Sequence, residues 1–392
     1  MNTPQALTQA PAAPRARWWR RIEALFDSPQ AYEWARAHWW TRWMVRRRTT
    51  QLFGYMAGFV HSQVLLACVQ LRLFHTLSDA PATLTQLAQQ LGLPPERLGP
   101  LLQSACVMEL LALEDDHTYS VGALGRVVLS HSGIADMVEH NHLLYRDLLE
   151  PRQFLQAPDQ GAMAAYWPYA QSDGAAPALR QEASGQLRHY SALMDASQGF
   201  VITEILDSYP FGDHTRVLDL GCGKGRFMRA VAQRFPQLQL QLMDLPVVLD
   251  LARQGFAQAG LAARAEFHPG SFLDDALPEG ADLVTLVRVA HDHGDAALHT
   301  LLKKIAAILP PGGRLLLAEP MQLDGPEASV VDPYFHFYLQ AMGEGRLRSP
   351  AELMQAIRAA GFVGVEQVPN ALAVHAQIIL AHKPRVNPVK EN

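Results

Sequence analysis

Residues 217–225 read VLDLGCGKG, and this stretch decides the fold of the C-terminal half of the chain. An apolar segment, typical of a buried strand, runs into Asp219, and a helix is predicted to begin near Arg226. Between them glycines alternate with other residues: Gly221, Gly223 and Gly225. Glycine lets the backbone turn sharply off a strand and lets a ligand approach without meeting a Cβ. The pattern is D-x-G-x-G-x-G, whereas dinucleotide sites have G-x-G-x-x-G, so we expect a different ligand here.

A second acid supports a ligand at this turn. The next predicted strand ends in Asp244, nineteen residues after Gly225. An acid at the end of that strand is placed to accept hydrogen bonds from the two hydroxyls of a ribose. Asp219 is placed to face an ammonium group of the same ligand. The alternative is a glycine turn that binds nothing, and the position of Asp244 argues against it.

Residues 201–384 alternate apolar strands with amphipathic helices, which predicts an α/β domain with a doubly wound, Rossmann-like parallel sheet. The candidate strands are Arg216–Leu220, Gln239–Met243, Ala265–Pro269, Leu283–Arg288, Arg314–Glu319 and Val374–Ala381. Ligands of such sheets bind at the carboxyl ends of the strands. The third strand ends in Gly270, Ser271 and Phe272, which we expect to flank a base, and the fourth places Arg288 and His291 at the rim. Asp292 and His293 adjoin His291, but no third ligand lies nearby in sequence and we predict no metal.

Residues 51–200 are predicted to be mostly helical. A helix ending near Gly92, a second starting at Pro94–Pro95 and a strand–turn–strand over Leu113–Val121 outline a winged helix. A winged helix that binds DNA carries basic residues on its second helix. Here that helix has only Arg97 and is otherwise largely apolar, so burial against another subunit is expected instead.

The first fifty residues form an unusual extension. Six of the seven tryptophans lie between Trp18 and Trp43, and nine arginines face three acids between Arg15 and Arg48. Tryptophan with arginine is the composition of a segment at a membrane interface. The alternative is a pair of short helices packed on the body of the protein. The predicted organisation is thus 1–50, 51–200, 201–384 and a tail, 385–392.

The overall composition describes a water-soluble protein. Of the 392 residues, 49 % are hydrophobic and 18 % are charged, with a net charge of −5 that gives no general case for nucleic acid. Cys68, Cys106 and Cys222 lie far apart and suit a reducing cytoplasm. We find no apolar run long enough to span a bilayer and no signal sequence, so a cytoplasmic location is expected.

Four segments together resemble the O-methyltransferases typified by the plant phenol and hydroxyindole enzymes: VLDLGCGKG, LMDLPVV (242–248), VRVAHDHGD (287–295) and PPGGRLLLAEPM (310–321). The resemblance covers roughly residues 60–380. It implies S-adenosylmethionine as the cofactor, a class I methyltransferase domain and an intertwined homodimer formed through the winged-helix region.

The resemblance also implies residue roles. His291 matches the histidine that deprotonates the substrate hydroxyl, and Glu319 matches the acid that orients it. Asp244 matches the ribose-binding acid and Arg288 a cofactor-contacting arginine. Two positions depart from the family: Ser271 replaces the usual aspartate after Gly270, and Leu347 stands where plant members have a second acid beside the histidine.

Two further segments, GFVHSQVLLACVQLRLF (58–74) and YFHFYLQAMGEGRLRSPAEL (334–353), with the Trp/Arg-rich start, resemble the carotenoid O-methyltransferases of purple photosynthetic bacteria. This implies a lipophilic partner, an acyclic hydroxycarotenoid of the hydroxyneurosporene type methylated on a tertiary hydroxyl, and peripheral contact with the inner or intracytoplasmic membrane. Two alternatives stay open: methylation of a small phenol or hydroxyindole, and a non-catalytic dimeric regulator that senses the cofactor.

Overall fold

The structure, a computed structural model, describes residues 28–166 and 198–385, apart from positions 326, 344 and 375. The predicted features that fall before residue 28, including Trp18 and Trp19, and the tail beyond residue 385 lie outside the described residues. The described chain divides into two compact units. The first consists of residues up to 73 with 79–122, and the second of 74–78 with the residues from 123 onward.

Two helices open the first unit, α1 (Pro29–Ala37) and α2 (Trp39–Gln70). Ser28 caps α1, because its side chain accepts a hydrogen bond from the backbone N of Ala31 at 3.1 Å. By length and composition α2 is able to cross a membrane, whereas the sequence analysis expects no such segment. In the sequence, polar residues interrupt the apolar stretch of this segment. The stretch becomes long enough to span a membrane only because the whole segment forms one continuous helix.

A run of large apolar side chains is exposed along the middle of α2: Leu52, Phe53, Tyr55, Met56, Phe59 and Val60. Only 11 % of the most apolar stretch of this helix is buried. A contiguous apolar surface of this kind marks a contact with a partner.

The rest of the first unit is the expected winged helix. After α3 (Leu73–Asp79), which the unit boundary crosses, come α4 (Leu84–Leu91) and α5 (Pro95–Val107). Thr83 and Gln86 form a capping box at the start of α4, and Gly92 ends that helix with φ +65°. The strands β1 (Ala82–Thr83), β2 (Leu111–Leu113) and β3 (Thr118–Val121) pair antiparallel in the order β1-β3-β2.

The second unit is built on a seven-stranded sheet in the order β6-β5-β4-β7-β8-β10-β9. Its strands are β4 (Arg216–Leu220), β5 (Gln239–Asp244), β6 (Ala265–Pro269), β7 (Leu283–Val287), β8 (Arg314–Glu319), β9 (Val363–Val368) and β10 (Gln377–His382). The five strands from β4 to β8 are parallel, as predicted, and their ends agree with the sequence analysis to within one residue. The predicted α/β fold is confirmed.

The last two strands correct the expectation of an all-parallel sheet. β10 pairs antiparallel with both β8 and β9, and β9 was not predicted. Only eight residues separate β9 from β10. A parallel crossover needs a dozen or more residues, so the short connection requires an antiparallel pair.

Helices cover both faces of this sheet. In the described part of the second unit, the helices after α3 are α6 (Ala123–Ser130), α7 (Ser132–His140), α8 (His142–Asp147), α9 (Pro151–Gln156), α10 (Ala162–Tyr166), α11 (Gly199–Ser208), α12 (Arg226–Arg234), α13 (Pro246–Gln258), α14 (Asp295–Ile308), α15 (Ala328–Met342) and α16 (Pro350–Ala359). Successive strand residues enter opposite cores: Val217 packs with α11, α12 and α13, while Leu218 packs with α14 and α16. The sheet is therefore doubly wound.

The compact units differ from the organisation predicted from the sequence. Residue 50 lies inside α2 and residue 200 inside α11. The segment after Gly122 belongs with the sheet because its helices share a core with α15: Leu144, Phe154 and Met163 pack with Tyr338 and Met342. Helical periodicity gives no sign of which unit a helix joins, and here tertiary packing decides it.

Candidate active site

The glycine turn after β4 has the conformation that its sequence requires. Gly221, Gly223 and Gly225 all have positive φ, at 71°, 55° and 69°. A Cβ at Gly221 would lie 2.7 Å from Cγ2 of Val289 and 3.4 Å from the ring of Phe272. A Cβ at Gly223 would meet nothing within 4 Å, so open space adjoins the turn. The turn thus draws the ends of three strands together and leaves room for a ligand beside Gly223.

Two buried carboxylates face this turn. Asp244 accepts hydrogen bonds from the backbone N of Gly223 at 2.8 Å and of Leu245 at 2.7 Å. Asp219 accepts one from the Thr285 hydroxyl at 2.7 Å. Burial raises the pKa of Asp219 to about 7; the bond from Thr285 opposes this and the charge of Asp244 adds to it. A cation placed beside these two carboxylates would be stabilised by both.

The end of β6 completes the third side of the turn. Gly270 donates its backbone N–H to the Asp244 carbonyl at 3.0 Å. The Ser271 hydroxyl donates to Asp274 at 2.7 Å within its own loop, and the Phe272 ring lies edge-on to His293 with centroids 5.5 Å apart. Lys304 of α14 fixes this loop by donating to the Phe272 carbonyl at 2.8 Å and to two others.

His291 lies in a short 3₁₀ turn, Ala290–Asp292, just beyond β7. Its Nδ1 contacts Oε2 of Glu319, which is only 1 % exposed. The other oxygen of Glu319 accepts from the backbone N of Val289 at 2.9 Å and of Ala290 at 2.7 Å. One carboxylate at the end of β8 therefore contacts both the ring and the backbone of the turn that carries it.

Asp292 is a second acid at His291 that sequence reasoning did not assign. Its Oδ1 lies 3.1 Å from Nε2 of His291, within ion-pair distance, although the two are not aligned as a hydrogen bond. Burial lowers the pKa of His291, but Asp292 and Glu319 outweigh it and raise that pKa to about 9. Leu347, which stands where plant members have a second acid, lies in the apolar cluster around α15.

A cavity of about 720 Å³ lies within the second unit among α7, α11 and α15. Its lining is mainly apolar, with Met137, Phe200 and Phe335 among the side chains. Two arginines of the described chain, Arg226 and Arg288, also line it. Arg288 takes a left-handed conformation, φ +56°, directly after β7. Phe335 and Tyr338 of α15 line the cavity, while Met342 of the same helix belongs to the apolar cluster around α15.

The predicted site residues thus meet at one edge of the sheet: Asp219, Gly221, Gly223, Asp244, Gly270, Phe272, His291 and Glu319. Arg288 lines the adjoining cavity, and Ser271 bonds within its own loop. Among the described residues, no cluster of three or more His, Cys, Asp or Glu side chains could hold a metal ion. The sequence missed Asp292, Thr285 and Arg226. A signal existed only for Asp292, which adjoins His291.

Comparison with known proteins identifies the family. A model described as an O-methyltransferase domain matches residues 155–363, which is more than half of the chain, and one described as an O-methyltransferase dimerisation domain matches residues 53–131. The chain belongs to the O-methyltransferase family. As such it is an S-adenosylmethionine-dependent enzyme, and its dimerisation domain supports a homodimer. That domain contains the exposed apolar face of α2 from Phe53 onward.

Individual relatives place this O-methyltransferase more closely. It is 40 % identical over 339 residues to the demethylspheroidene O-methyltransferase of Cereibacter sphaeroides, covering 86 % of this chain and 88 % of that protein. It is 27 % identical over 324 residues to the acetylserotonin O-methyltransferase of Bos taurus, covering 79 % and 90 %. The resemblance seen in the sequence is confirmed.

Solved structures share the fold. Human N-acetylserotonin methyltransferase in complex with SAM superposes with a TM-score of 0.71 at 23 % identity, covering 86 % of this chain and 98 % of that one. The mitomycin 7-O-methyltransferase MmcR gives 0.69 at 23 % identity, with coverage of 86 % and 98 %.

Proposed function

We propose that this O-methyltransferase methylates the tertiary hydroxyl of an acyclic hydroxycarotenoid and acts in carotenoid biosynthesis. The observation that carries the proposal is the 40 % identity to enzymes named for demethylspheroidene. The mainly apolar cavity of about 720 Å³ supports it, since a polyene offers almost nothing to hydrogen-bond. A small phenol or hydroxyindole is the second candidate, favoured by the 27 % identity to the acetylserotonin enzyme.

The cofactor site in this proposal is the glycine turn. The acids and open space there fit S-adenosylmethionine: Asp244 would accept the ribose hydroxyls, and Asp219 would face the cationic end of the methionine moiety. Gly221 and Gly223 would let the ligand approach the backbone, and Gly270, Ser271 and Phe272 would flank the adenine. Arg288, and with it Arg226, reaches the cavity beside the turn and would attract the carboxylate.

His291 is the proposed general base. When bound, the cofactor supplies a methyl group on a sulfonium, which the hydroxyl oxygen attacks in line as the carbon–sulfur bond breaks and a neutral thioether leaves. A tertiary alcohol is a poor nucleophile, so its proton must leave as the new bond forms. Nε2 of His291 would take that proton. Glu319 holds Nδ1, so the neutral ring presents a lone pair at Nε2, and the imidazolium formed is stabilised by both flanking carboxylates.

We assign the enzyme to the cytoplasm, in peripheral contact with the inner or intracytoplasmic membrane. The start of α2 carries exposed tryptophans, with Trp39 78 % and Trp43 57 % exposed. Between residues 34 and 78 the chain has six arginines and no acid. The matched dimerisation domain begins at residue 53, after these tryptophans. Arginine attracts anionic lipid, and tryptophan settles at the headgroup level.

Methyl transfer from labelled S-adenosylmethionine to a panel of substrates tests the proposal. Purified enzyme should label acyclic carotenoids with a tertiary hydroxyl, and N-acetylserotonin and simple phenols far more slowly. His291→Ala should lower turnover by about 10²–10⁴-fold while calorimetry shows unchanged cofactor affinity. Preferential labelling of phenols would favour the second candidate. Cofactor binding without labelling of any substrate would favour the non-catalytic regulator.

A further inference from the structure

Arg348 is a buried charge that the proposed chemistry does not use. It is 3 % exposed, and each of its three guanidinium nitrogens donates a hydrogen bond to the chain around His291. Nη1 donates to the Ala290 carbonyl at 2.9 Å, and Nη2 donates to the His293 carbonyl at 2.7 Å. Nε and Nη2 both donate to Oδ1 of Asp295, at 2.9 and 2.7 Å. One side chain therefore binds the backbone on both sides of His291.

The backbone next to Arg348 grips the same turn. Arg346 donates its backbone N–H to the carbonyl of His291 itself, at 3.0 Å. A Cβ at Gly345 would lie 2.5 Å from that carbonyl oxygen, so a glycine is needed for the close approach. The carbonyl of Arg348 in turn accepts from the backbone N of Gln322, just beyond β8, at 3.0 Å. Segment 345–348 thus ties the end of β8 to the turn at the end of β7.

Between these polar contacts, Leu347 points into the apolar cluster with Tyr338 and Met342 of α15. The same helix carries Tyr334 and Phe335, which line the cavity. The four-residue segment therefore connects the wall of the cavity to the turn that bears His291. Burying a guanidinium is expensive unless every donor is paired, and apolar packing would stabilise the fold as well. The buried guanidinium of Arg348 therefore points to a need to hold the His291 turn in a fixed position.

We propose that Arg348 is a positioning residue, which holds the His291 turn so that the ring stays against Glu319 and at a fixed distance from the methyl acceptor in the cavity. The inference rests on the proposed role of His291 as the base. Methyl transfer demands in-line alignment of oxygen, carbon and sulfur, and a displacement of about 1 Å in such a reaction lowers the rate by about 10²-fold. A loosened turn would lower turnover without touching the cofactor turn after β4.

The test compares variants of Arg348 and Arg264, two arginines whose side chains donate hydrogen bonds to backbone carbonyls. Arg264 donates to the carbonyls of Ala232, Phe235 and Leu238, which precede β5 at the amino-end edge of the sheet, opposite the site. Arg264→Gln therefore removes a similar set of hydrogen bonds to backbone carbonyls and leaves the His291 turn unchanged. We expect Arg348→Gln to lower kcat by about 10²-fold per cofactor-binding site, with the calorimetric Kd for S-adenosylmethionine changed less than about threefold. Arg264→Gln should lower the melting temperature and leave kcat per site near that of the wild type.

Arg348→Lys gives a second readout that a purely structural role would not move. Lysine keeps the charge but cannot make all four contacts, so kcat should recover only in part. The kcat–pH profile should level off at a lower pH than in the wild type, because His291 would sit less firmly against Asp292 and Glu319, the acids that raise its pKa.

The outcomes separate this inference from the proposed function. If His291→Ala retains wild-type turnover, the base assignment fails, and Arg348 has no histidine function to position. If His291→Ala is inactive while Arg348→Gln and Arg348→Lys keep the wild-type kcat and pH profile, the base stands and the positioning role is overturned. Equal loss of kcat per site in the Arg264 and Arg348 variants also overturns it, since the effect would then follow stability alone.

Discussion

At the scale of single residues, the proposed role of His291 as the base predicts how the reaction depends on pH. The ring acts as a base only when neutral, and Asp292 and Glu319 raise its pKa to about 9 against the opposing effect of burial. Below that pH the ring is mostly protonated, so kcat should rise about tenfold per pH unit and level off above about pH 9. Glu319→Gln removes one of the acids and should move the plateau to lower pH. A kcat that is flat between pH 6 and 9 would contradict the assignment.

Asp244 belongs to the same scale. Asp244→Ala should weaken S-adenosylmethionine binding by about 1.5–3 kcal/mol, the range for hydrogen bonds to a charged group. The substitution also removes the bonds from Gly223 and Leu245, so part of the loss would come from a looser turn. Asp244→Asn keeps one oxygen acceptor and should lose less. Calorimetric titration measures both affinities, and an unchanged value for the alanine variant would remove this residue from the cofactor site.

At the scale of secondary-structure elements, the turn after β4 depends on one close approach. Gly221→Ala places a Cβ in a left-handed conformation and 2.7 Å from Val289. The backbone strain costs about 1–2 kcal/mol and the overpacking about 1–3 kcal/mol. Gly260, after α13, has a similar φ of +70° but open space around it, so Gly260→Ala should show the strain alone. Denaturant unfolding measures the free energy of unfolding of both variants. Equal losses of stability would mean that the close approach to Val289 does not add to the cost of Gly221→Ala.

Elements were predictable from the sequence to the extent that their pattern was local. β4, β7 and β8 are buried, mainly apolar runs, and β4, β5 and β8 carry the predicted acids at or next to their ends. β9 was not predicted because Val365 is its one buried residue and Gly364 interrupts its pattern. Arg348 escaped for a different reason: it lies 58 residues from Ala290, and no spacing rule links two segments that meet only in the folded chain.

At the scale of the whole molecule, α2 presents two kinds of exposed surface along one helix. Phe53 and Phe59 lie in the matched dimerisation domain, whereas Trp39, Trp40 and Trp43 precede it and lie near exposed arginines. We therefore expect the two surfaces to serve different partners, a second subunit and an anionic bilayer. Each arginine near such a surface contributes about 1 kcal/mol, a contribution that salt screens, while the tryptophan contribution is insensitive to salt.

Substitutions that leave α2 intact test this division better than truncation, because removing residues 1–48 would cut into the helix itself. Replacing Trp39, Trp40 and Trp43 with serine should reduce pelleting with anionic liposomes and slow methylation of a membrane-dissolved hydroxycarotenoid. Methylation of a short, detergent-solubilised hydroxylated isoprenoid should change much less, and the dimer should persist. Changing Arg46, Arg47 and Arg48 to glutamine should remove the salt-sensitive part of the binding.

Phe53→Ser with Phe59→Ser is the matched control on the same helix. These variants should lose the dimer in light scattering. The dimerisation domain is a feature of the O-methyltransferase family and is not specific to one substrate. Loss of the dimer should therefore slow methylation of both substrates by similar factors. If the tryptophan variant instead loses its dimer or its melting temperature, and its rates on the two substrates fall equally with liposome binding unchanged, the tryptophans pack within the protein. The membrane contact would then be excluded, and the carotenoid would have to reach the cavity by another route.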